Sequence, residues 1–110
     1  MEKLVAEDHH ADELQEGLAS HGFKHLRVRH RADTLTIESG AKGADAFPHA
    51  RLRRETRRAW RLEMPTSTGR WETTPIRDET DNLIAILVSD FAWALAKPPT
   101  ITTRTSGRKY

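Results

Sequence analysis

The segment from Glu7 to Glu13 is the densest group of potential metal ligands, because it holds two histidines and four carboxylates. On a helix, His9 and Glu13 would share a face, as would Asp8 and Asp12. Zinc needs three or four ligands in fixed positions, and no complementary cluster occurs elsewhere in the sequence. The chain also contains no cysteine. We therefore interpret this segment as the exposed acidic start of a helix and expect no metal and no cofactor.

Four further histidines could take part in acid–base chemistry: His21, His25, His30 and His49. His30 and His49, together with Arg51 and Glu55, include the acid, the base and the cation that a metal-independent nuclease requires. Nothing in their spacing requires them to converge. The serines lie outside a G-x-S-x-G context, and no phosphate-binding loop or dinucleotide fingerprint is present. We expect a non-enzymatic protein and keep a small nuclease as the last alternative.

Arginine is concentrated in two stretches, 27–31 and 51–61, although the net charge is only +2. Guanidinium groups form planar, bidentate contacts with carboxylates and phosphates. The middle of the chain is therefore suited to an anionic partner, either protein or nucleic acid.

Apolar spacing predicts a first helix from about Glu7 to His21, with a start nearer Glu2 as the alternative. Three- and four-residue steps place its apolar residues on one stripe: Leu4, Ala11, Leu14 and Leu18. Gly22 is a plausible end of the helix, with Phe23 packing back onto it.

A strand–turn–strand pattern follows around the polar break 31–33. Leu26, Val28, Leu35 and Ile37 alternate with polar residues, so one face should be buried and the other should carry Arg27, Arg29, Thr36 and Glu38.

Residues 49–60 have two interpretations. Pro48 could begin a basic helix with Leu52, Thr56, Ala59 and Trp60 on one side. The alternative, which we prefer, is a strand through Ala50, Leu52 and Arg54, a turn, and a strand from Trp60 to Met64. A further strand, 70–74, then continues the meander. In this arrangement Trp60 and Trp71 face the core, which leaves no aromatic side chain on the arginine side for stacking bases.

The last helix should begin at Asp78 or Thr80 and end before Pro98. Its apolar stripe is formed by Leu83, Ile84, Leu87, Val88, Phe91 and Leu95. Ile86 and Trp93 lie off this stripe, so Trp93 either anchors an interface or completes a thin core. We predict one domain, 1–97, followed by a flexible basic tail, 98–110.

The expected fold is therefore α+β: an N-terminal helix, an antiparallel meander of four to five strands, and a C-terminal helix packed on one sheet face. The other face would carry arginines among a smaller number of acids. The arginines are Arg27, Arg29, Arg51, Arg53, Arg61 and Arg70, and the neighbouring polar residues are Thr36, Glu38, Glu55, Glu63 and Glu72. In a simpler structural interpretation, Arg27, Arg53 and Arg61 only form ion pairs across strands with Glu38, Glu55 and Glu63.

These patterns lead to a functional hypothesis rather than to a known activity. We expect a small cytoplasmic protein-binding module of bacterial type: an inhibitor, an immunity or antitoxin-like protein, or an accessory subunit. Its partner would be another protein or a second copy, with no membrane and no small-molecule cofactor involved. The predicted contact residues are Arg27, Arg29, Arg51, Arg53, Arg61 and Trp93. The alternative is nucleic-acid binding through the same arginines.

Overall fold

The computed structural model describes residues 4–40 and 46–96. It confirms the predicted α+β fold, with five antiparallel strands in the sheet order β1-β2-β3-β4-β5. In chain order the elements are α1 (Asp8–Ser20), β1 (Arg27–Arg31), β2 (Thr34–Ser39), β3 (Phe47–Arg54), β4 (Trp60–Pro65), β5 (Trp71–Asp78), α2 (Thr80–Asp90) and α3 (Ala92–Leu95). The predicted tail, 98–110, lies outside the described residues.

Helix α1 begins and ends close to the predicted positions. At its start, the backbone N–H of Glu7 donates to Nδ1 of His10 at 3.0 Å. At its end, Gly22 has a φ of 96°, a conformation that favours glycine because it has no Cβ. The Phe23 N–H then donates to the Leu18 carbonyl at 3.0 Å. Phe23 thereby packs against the core, as the sequence predicted.

Residues 50–60 form a strand, a turn and the start of a second strand, so the alternative of a basic helix is wrong. Leu52 of β3 lies opposite Leu35 of β2 and Leu62 of β4. All three side chains are fully buried. A helix would lose this row of cross-strand contacts, whose burial is worth about 1.5–3 kcal/mol per leucine. The turn between the strands is closed by the Glu55 N–H donating to the Ala59 carbonyl at 2.9 Å.

The hydrophobic core lies between one face of the sheet and the helices. It combines the inward side chains of β2, β3 and β4 with the apolar stripes of α1 and α2. Its buried members are Ala6, Ala11, Leu14, Leu18, Leu26, Leu35, Ile37, Ala50, Leu52, Trp60, Leu62, Leu83, Ile84, Leu87 and Leu95. None of the three described helices covers the opposite face of the sheet, and we call it the outer face.

The predicted single C-terminal helix is instead two helices that meet at Phe91. This residue has a φ of −122° and a ψ of 25°, which are not helical values. The break turns the short helix α3 so that Leu95 is buried while Trp93 points outward. Neither glycine nor proline marks the break, so local sequence gave no sign of it. At the start of α2, Glu79 occupies the N-cap position, whereas Asp78 accepts a hydrogen bond from the Glu79 N–H.

Gly17 marks the closest approach of α1 to α2, and it supplies a first test of the packing. A Cβ at this position would collide with the Cδ1 methyl of Ile84. We expect Gly17→Val to lower the free energy of unfolding by about 1–3 kcal/mol, because overpacking forces neighbouring side chains to move. Gly17→Ala should cost less, since its helix propensity offsets part of the clash by about 1 kcal/mol. Urea unfolding measures both, and an unchanged Gly17→Val midpoint would contradict this packing.

Candidate functional site

The outer face of the sheet carries a dense layer of arginines. We define the arginine face by Arg27, Arg29, Arg31, Arg51, Arg53, Arg61 and Arg77, with the acids Asp33, Glu38, Glu55 and Glu63 between them. Five of these arginines are predicted contact residues, and the strand register does bring them together. The arginines outnumber the acids, so this face keeps a positive charge.

Two buried glutamates hold the arginines of this face in position. Glu38 is 4% exposed and accepts from Nε of Arg27 at 3.3 Å and from Nε of Arg29 at 3.2 Å. Glu63 is equally buried and accepts from Nε of Arg51 at 2.7 Å and from Nε of Arg53 at 3.2 Å. No described helix packs on this face of the sheet. The aliphatic stems of the arginines therefore exclude water from these carboxylates.

The Glu63 carboxyl has a lowered pKa, so it remains ionised at lower pH than an ordinary glutamate does. Burial by itself raises the pKa of its carboxyl, but the hydrogen bonds from Arg51 and Arg53 outweigh burial, and the net pKa is lowered. The Thr73 hydroxyl also donates to it, at 3.1 Å. The carboxylate is thus held by three side chains from β3 and β5, and it fixes the positions of two predicted contact arginines.

Further ion pairs lie at the edge of the arginine face. Arg53 also binds Asp33 at 2.9 Å, and Glu55 binds Arg61 at 2.9 Å and Arg77 at 3.3 Å. The hydrogen bond from Arg61 is the main cause of the lowered pKa of Glu55. The ion pairs expected for Arg27, Arg53 and Arg61 are therefore present, with Glu38, Glu63 and Glu55 as their respective partners. The face is a network of ion pairs with an excess of arginine, and not a layer of unpaired cations.

Trp71 lies on the arginine face, so the prediction that it faces the core is wrong. Its ring centroid is 4.5 Å from Cζ of Arg51. Thr73 pairs with Glu63 in the β4–β5 register, and Trp71, two residues earlier, shares its side of the sheet. Glu72 consequently points to the helix side, although the sequence had placed it among the arginines. Alternation within a strand does not reveal which of its two sides faces the core.

A cavity of about 330 Å³ opens on the arginine face next to Trp71. Its wall contains three arginines, two threonines and Trp71. The lining residues are Arg29, Arg31, Thr34, Thr36, Glu38, Ala46, Pro48, Arg51 and Trp71. We call it the outer cavity. Arg29 and Arg51 each use Nε for a buried glutamate, and within residues 4–40 and 46–96 their terminal amino groups make no hydrogen bond.

An apolar groove lies at the same end of the sheet, on the helix side. It has a volume of about 450 Å³ and is lined by Phe47, Pro48, His49, Met64, Pro65, Glu72, Phe91, Trp93, Ala94 and Ala96. We call it the Trp93 groove. Trp93 is 72% exposed and Phe47 is 45% exposed, and they are the exposed large hydrophobic residues of the described chain. Pro48 lines both the groove and the outer cavity, so the two sites meet at this residue.

Of these groove residues, sequence analysis had selected Trp93 alone as a contact residue. The exposure of Trp93 argues against the alternative that this side chain completes the core. Phe47 was missed because the residues before it in the sequence are mostly small or polar and it has no apolar partner at strand spacing. The available signal was an aromatic residue directly before a proline at the start of a strand.

Two histidines hold α3 and Trp93 in place: His49 of β3 and His25, which lies in the turn between α1 and β1. Nδ1 of His49 lies 2.7 Å from the Ala94 carbonyl, and Nε2 of His25 lies 2.8 Å from the Leu95 carbonyl. Carbonyl oxygens only accept, so each ring nitrogen donates its proton. Nε2 of His49 then accepts from the Ser39 hydroxyl at 2.7 Å. These contacts explain why the chain turns at Phe91, since they hold the end of α3 against β3.

The buried His49 predicts that the fold loses stability in mild acid. Burial is the main cause of its lowered pKa, the hydrogen bond to Ala94 opposes the shift, and His25 adds to it. The unfolded chain therefore binds protons first, and stability should fall as the pH drops below about 6.5. The lowered pKa of His10, which is caused mainly by burial, acts in the same direction. Thermal unfolding from pH 8 to pH 5 measures the effect.

The matched variants for this pH dependence are His49→Gln and His21→Gln. His49→Gln should reduce the dependence of stability on pH. The dependence that remains in this variant should come from His10. His21→Gln, at an exposed position, should leave it unchanged. A wild-type profile that stays flat down to pH 5 would contradict the prediction.

The residues of the nuclease alternative do not come together. His49 is buried on the helix side, whereas Arg51 and Glu55 belong to the arginine face. His30 instead binds Asp8 of α1. In the part of the chain that the structure describes, no group of three or more histidine and acidic side chains is arranged to hold a metal ion.

In the comparisons with known proteins, no family model, no curated protein and no solved structure matches the chain. None of the helices within residues 4–40 and 46–96 has the length and apolar character needed to cross a membrane.

Proposed function

We propose that this chain is a non-enzymatic protein-binding module that anchors its partner in the Trp93 groove. One observation carries the proposal: both exposed large hydrophobic residues of the described chain, Phe47 and Trp93, line this groove. Exposed aromatic residues that border a concave apolar surface mark protein interfaces, and tryptophan is enriched among residues that dominate binding energy. The neighbouring outer cavity is lined mainly by charged and polar residues, so the groove differs from it in chemistry.

The charges around the groove indicate the chemistry of the partner. The outer cavity, with its arginines, begins on the other side of Pro48. A partner that covers both sites needs an apolar side chain for the groove and a carboxylate beside it for the arginines. Glu38 and Glu63 fix the guanidinium groups of Arg29 and Arg51 before the partner binds. This preorganisation lowers the conformational entropy lost on binding. The partner we propose is therefore a protein segment with acidic and apolar residues side by side.

This mode of action corresponds to a small bacterial inhibitor, an immunity or antitoxin-like protein, or an accessory subunit. Such proteins act by surface complementarity and need no catalytic group of their own. We also propose a cytoplasmic location, since small exported domains often depend on disulfides and this chain contains no cysteine.

The test compares tagged wild-type protein with Trp93→Ala in capture experiments from the native host, followed by affinity measurement on the identified partner. We expect Trp93→Ala to weaken binding at least about 30-fold, which corresponds to about 2 kcal/mol for a central interface residue. Trp93→Phe should retain part of the affinity. Glu16→Ala, on the exposed side of α1, is the control and should bind as the wild type does.

Two outcomes would contradict the proposal. One is a captured partner whose affinity is the same for wild type and Trp93→Ala. The other is a wild-type protein that gains no partner from its host and stays monomeric by light scattering at high concentration. A dimer that dissociates in Trp93→Ala would instead identify a second copy of the chain as the occupant of the groove.

A second candidate function, binding of single-stranded nucleic acid, is favoured by the position of Trp71. The alternation pattern predicted no aromatic residue on the arginine face, but Trp71 lies there beside Arg51. Base stacking on an aromatic ring near cations is the usual chemistry of such proteins. Fluorescence anisotropy with a labelled oligonucleotide should show an affinity that falls steeply with salt. A response that is equal at low and physiological salt would exclude this candidate.

A further inference from the structure

The outer cavity has the composition of an oxyanion site. Arg29 of β1 and Arg51 of β3 both lie opposite Thr36 of β2, so they flank this threonine in one cross-strand row. Arg31 completes the cationic wall, and within the described residues its side chain forms no hydrogen bond or ion pair. Three guanidinium groups thus border a single concave space.

Thr36 supplies an independent sign that this space receives a ligand. Its side chain is on the outer face and only 7% of the residue is exposed. Its hydroxyl has no hydrogen-bond partner in the part of the chain that the structure describes, whereas the neighbouring Thr34 hydroxyl donates to the Arg31 carbonyl at 2.8 Å. A buried hydroxyl without a partner costs free energy unless a ligand or water satisfies it. The Thr36 hydroxyl can donate to an anion in the cavity.

The carboxylates near the cavity are already engaged. Glu38 lines it, but its two oxygens accept from Arg29 and Arg27, respectively. Glu63 holds Arg51 from the other side. Because both glutamates bind Nε, the terminal amino groups are left for a second acceptor, and the guanidinium planes are fixed before it arrives. The charged residues that line the cavity are three arginines and one acid, Arg29, Arg31 and Arg51 with Glu38, which leaves an excess of two positive charges. A ligand with two negative charges would balance this excess.

We propose that the outer cavity binds a phosphate group, either as free phosphate or as a phosphate monoester. Both carry close to two negative charges at neutral pH and offer three or four acceptor oxygens. These acceptors match the donors of Arg29, Arg31, Arg51 and Thr36. The volume of about 330 Å³ leaves room for a small group esterified to the phosphate, against the ring of Trp71. The site lies on the other face of the sheet from the Trp93 groove. It shares Arg29 and Arg51 with the contacts proposed for the partner's carboxylate, so phosphate and that carboxylate would compete, whereas the titration of phosphate itself needs no protein partner.

The test is a titration of the full-length protein, followed by NMR of the Thr36 amide and the Trp71 indole N–H. The ligands are inorganic phosphate and phenyl phosphate, with ionic strength held constant by sodium chloride. We expect both ligands to give saturable shifts at these two positions. Tighter binding of phenyl phosphate would assign the site to a monoester, and equal binding would assign it to free phosphate.

Two variants that preserve the buried ion pairs probe the site. Arg31→Gln should lower phosphate affinity about tenfold, since it removes a charged donor. Thr36→Val should lower it about threefold to tenfold by removing one neutral donor of the same shape. Arg70→Gln makes the same charge change at an exposed position outside the cavity and should alter the affinity less than about twofold at constant ionic strength.

Three results would overturn the phosphate site. The first is a shift that is linear in phosphate or is reproduced by chloride. The second is an equal loss of affinity in Arg31→Gln and Arg70→Gln, which would indicate general attraction to a positive surface. The third is an oligonucleotide without a terminal phosphate that binds more tightly than either phosphate ligand and shifts the same two resonances, which would assign the face to a nucleic-acid backbone.

Discussion

Trp60→Ala is expected to lower the free energy of unfolding by about 3–5 kcal/mol, the range for removing a buried large aromatic side chain. Trp60 is 2% exposed and begins β4 within the core. Its ring makes an edge contact with His10, with centroids 5.2 Å apart, and lies 5.6 Å from Cζ of Arg54. A domain of this size is typically stable by only about 5–15 kcal/mol, so the variant should unfold at much lower urea concentration.

The matched control is Trp93→Ala, which removes the same side chain from an exposed position. Because Trp93 is 72% exposed, its replacement should change the free energy of unfolding by less than about 0.5 kcal/mol. The pair of variants thus separates a core tryptophan from an interface tryptophan. A loss of stability in Trp93→Ala as large as that in Trp60→Ala would mean that Trp93 completes the core, and would remove the basis of the groove proposal.

Glu63→Gln should cost about 1–3 kcal/mol of stability, less than a fully buried ion pair would. Glutamine preserves the shape but removes the charge that Arg51 and Arg53 share. The cost is moderated by water, because the side chain of Arg51 is 19% exposed and that of Arg53 is 39% exposed. The lowered pKa of Glu63 adds a pH signature. Its contribution is present above the unfolded pKa of about 4.3 and disappears as the pH falls through the lower folded pKa.

Glu55→Gln is the control for this second prediction. Glu55 also binds two arginines, but its side chain is 28% exposed, and that of its partner Arg77 is 52% exposed. Exposed pairs contribute about 0–1 kcal/mol, so urea unfolding should show a smaller loss than for Glu63→Gln. Equal losses in the two variants would show that burial of the carboxylate is not what makes the Glu63 network strong.

Much of the fold could be predicted because local periodicity follows burial. The apolar stripe of Leu14 and Leu18 identified α1, and the alternation through Leu35 and Ile37 identified β2. The meander followed because consecutive strands are separated by few residues in the sequence, which favours antiparallel neighbours. Even the preference for strands over a helix in residues 49–60 depended on the alternation that begins again at Trp60.

The candidate site was harder to predict, because it depends on relations between elements. The arginines were found, yet their binding to Glu38 and Glu63 could not be separated in advance from exposure to solvent. Trp71 was assigned to the wrong face because a strand can join the sheet with either of its two sides towards the core. Phe47 and Trp93 are 46 residues apart in the sequence and meet only where α3 turns against β3.

The sequence by itself determined the element types, their order and the inward residues of the best-patterned segments, since these depend on neighbours a few positions away. Only the tertiary structure decided which side of β5 faces the core and that the C-terminal helix breaks at Phe91. It also decided that the Trp93 groove and the outer cavity meet at Pro48. Each of these results from contacts between distant residues, such as His49 with Ala94 and Glu63 with Thr73. Hydrogen bonds of this kind form when the sheet and helices pack, and residue periodicity does not predict them.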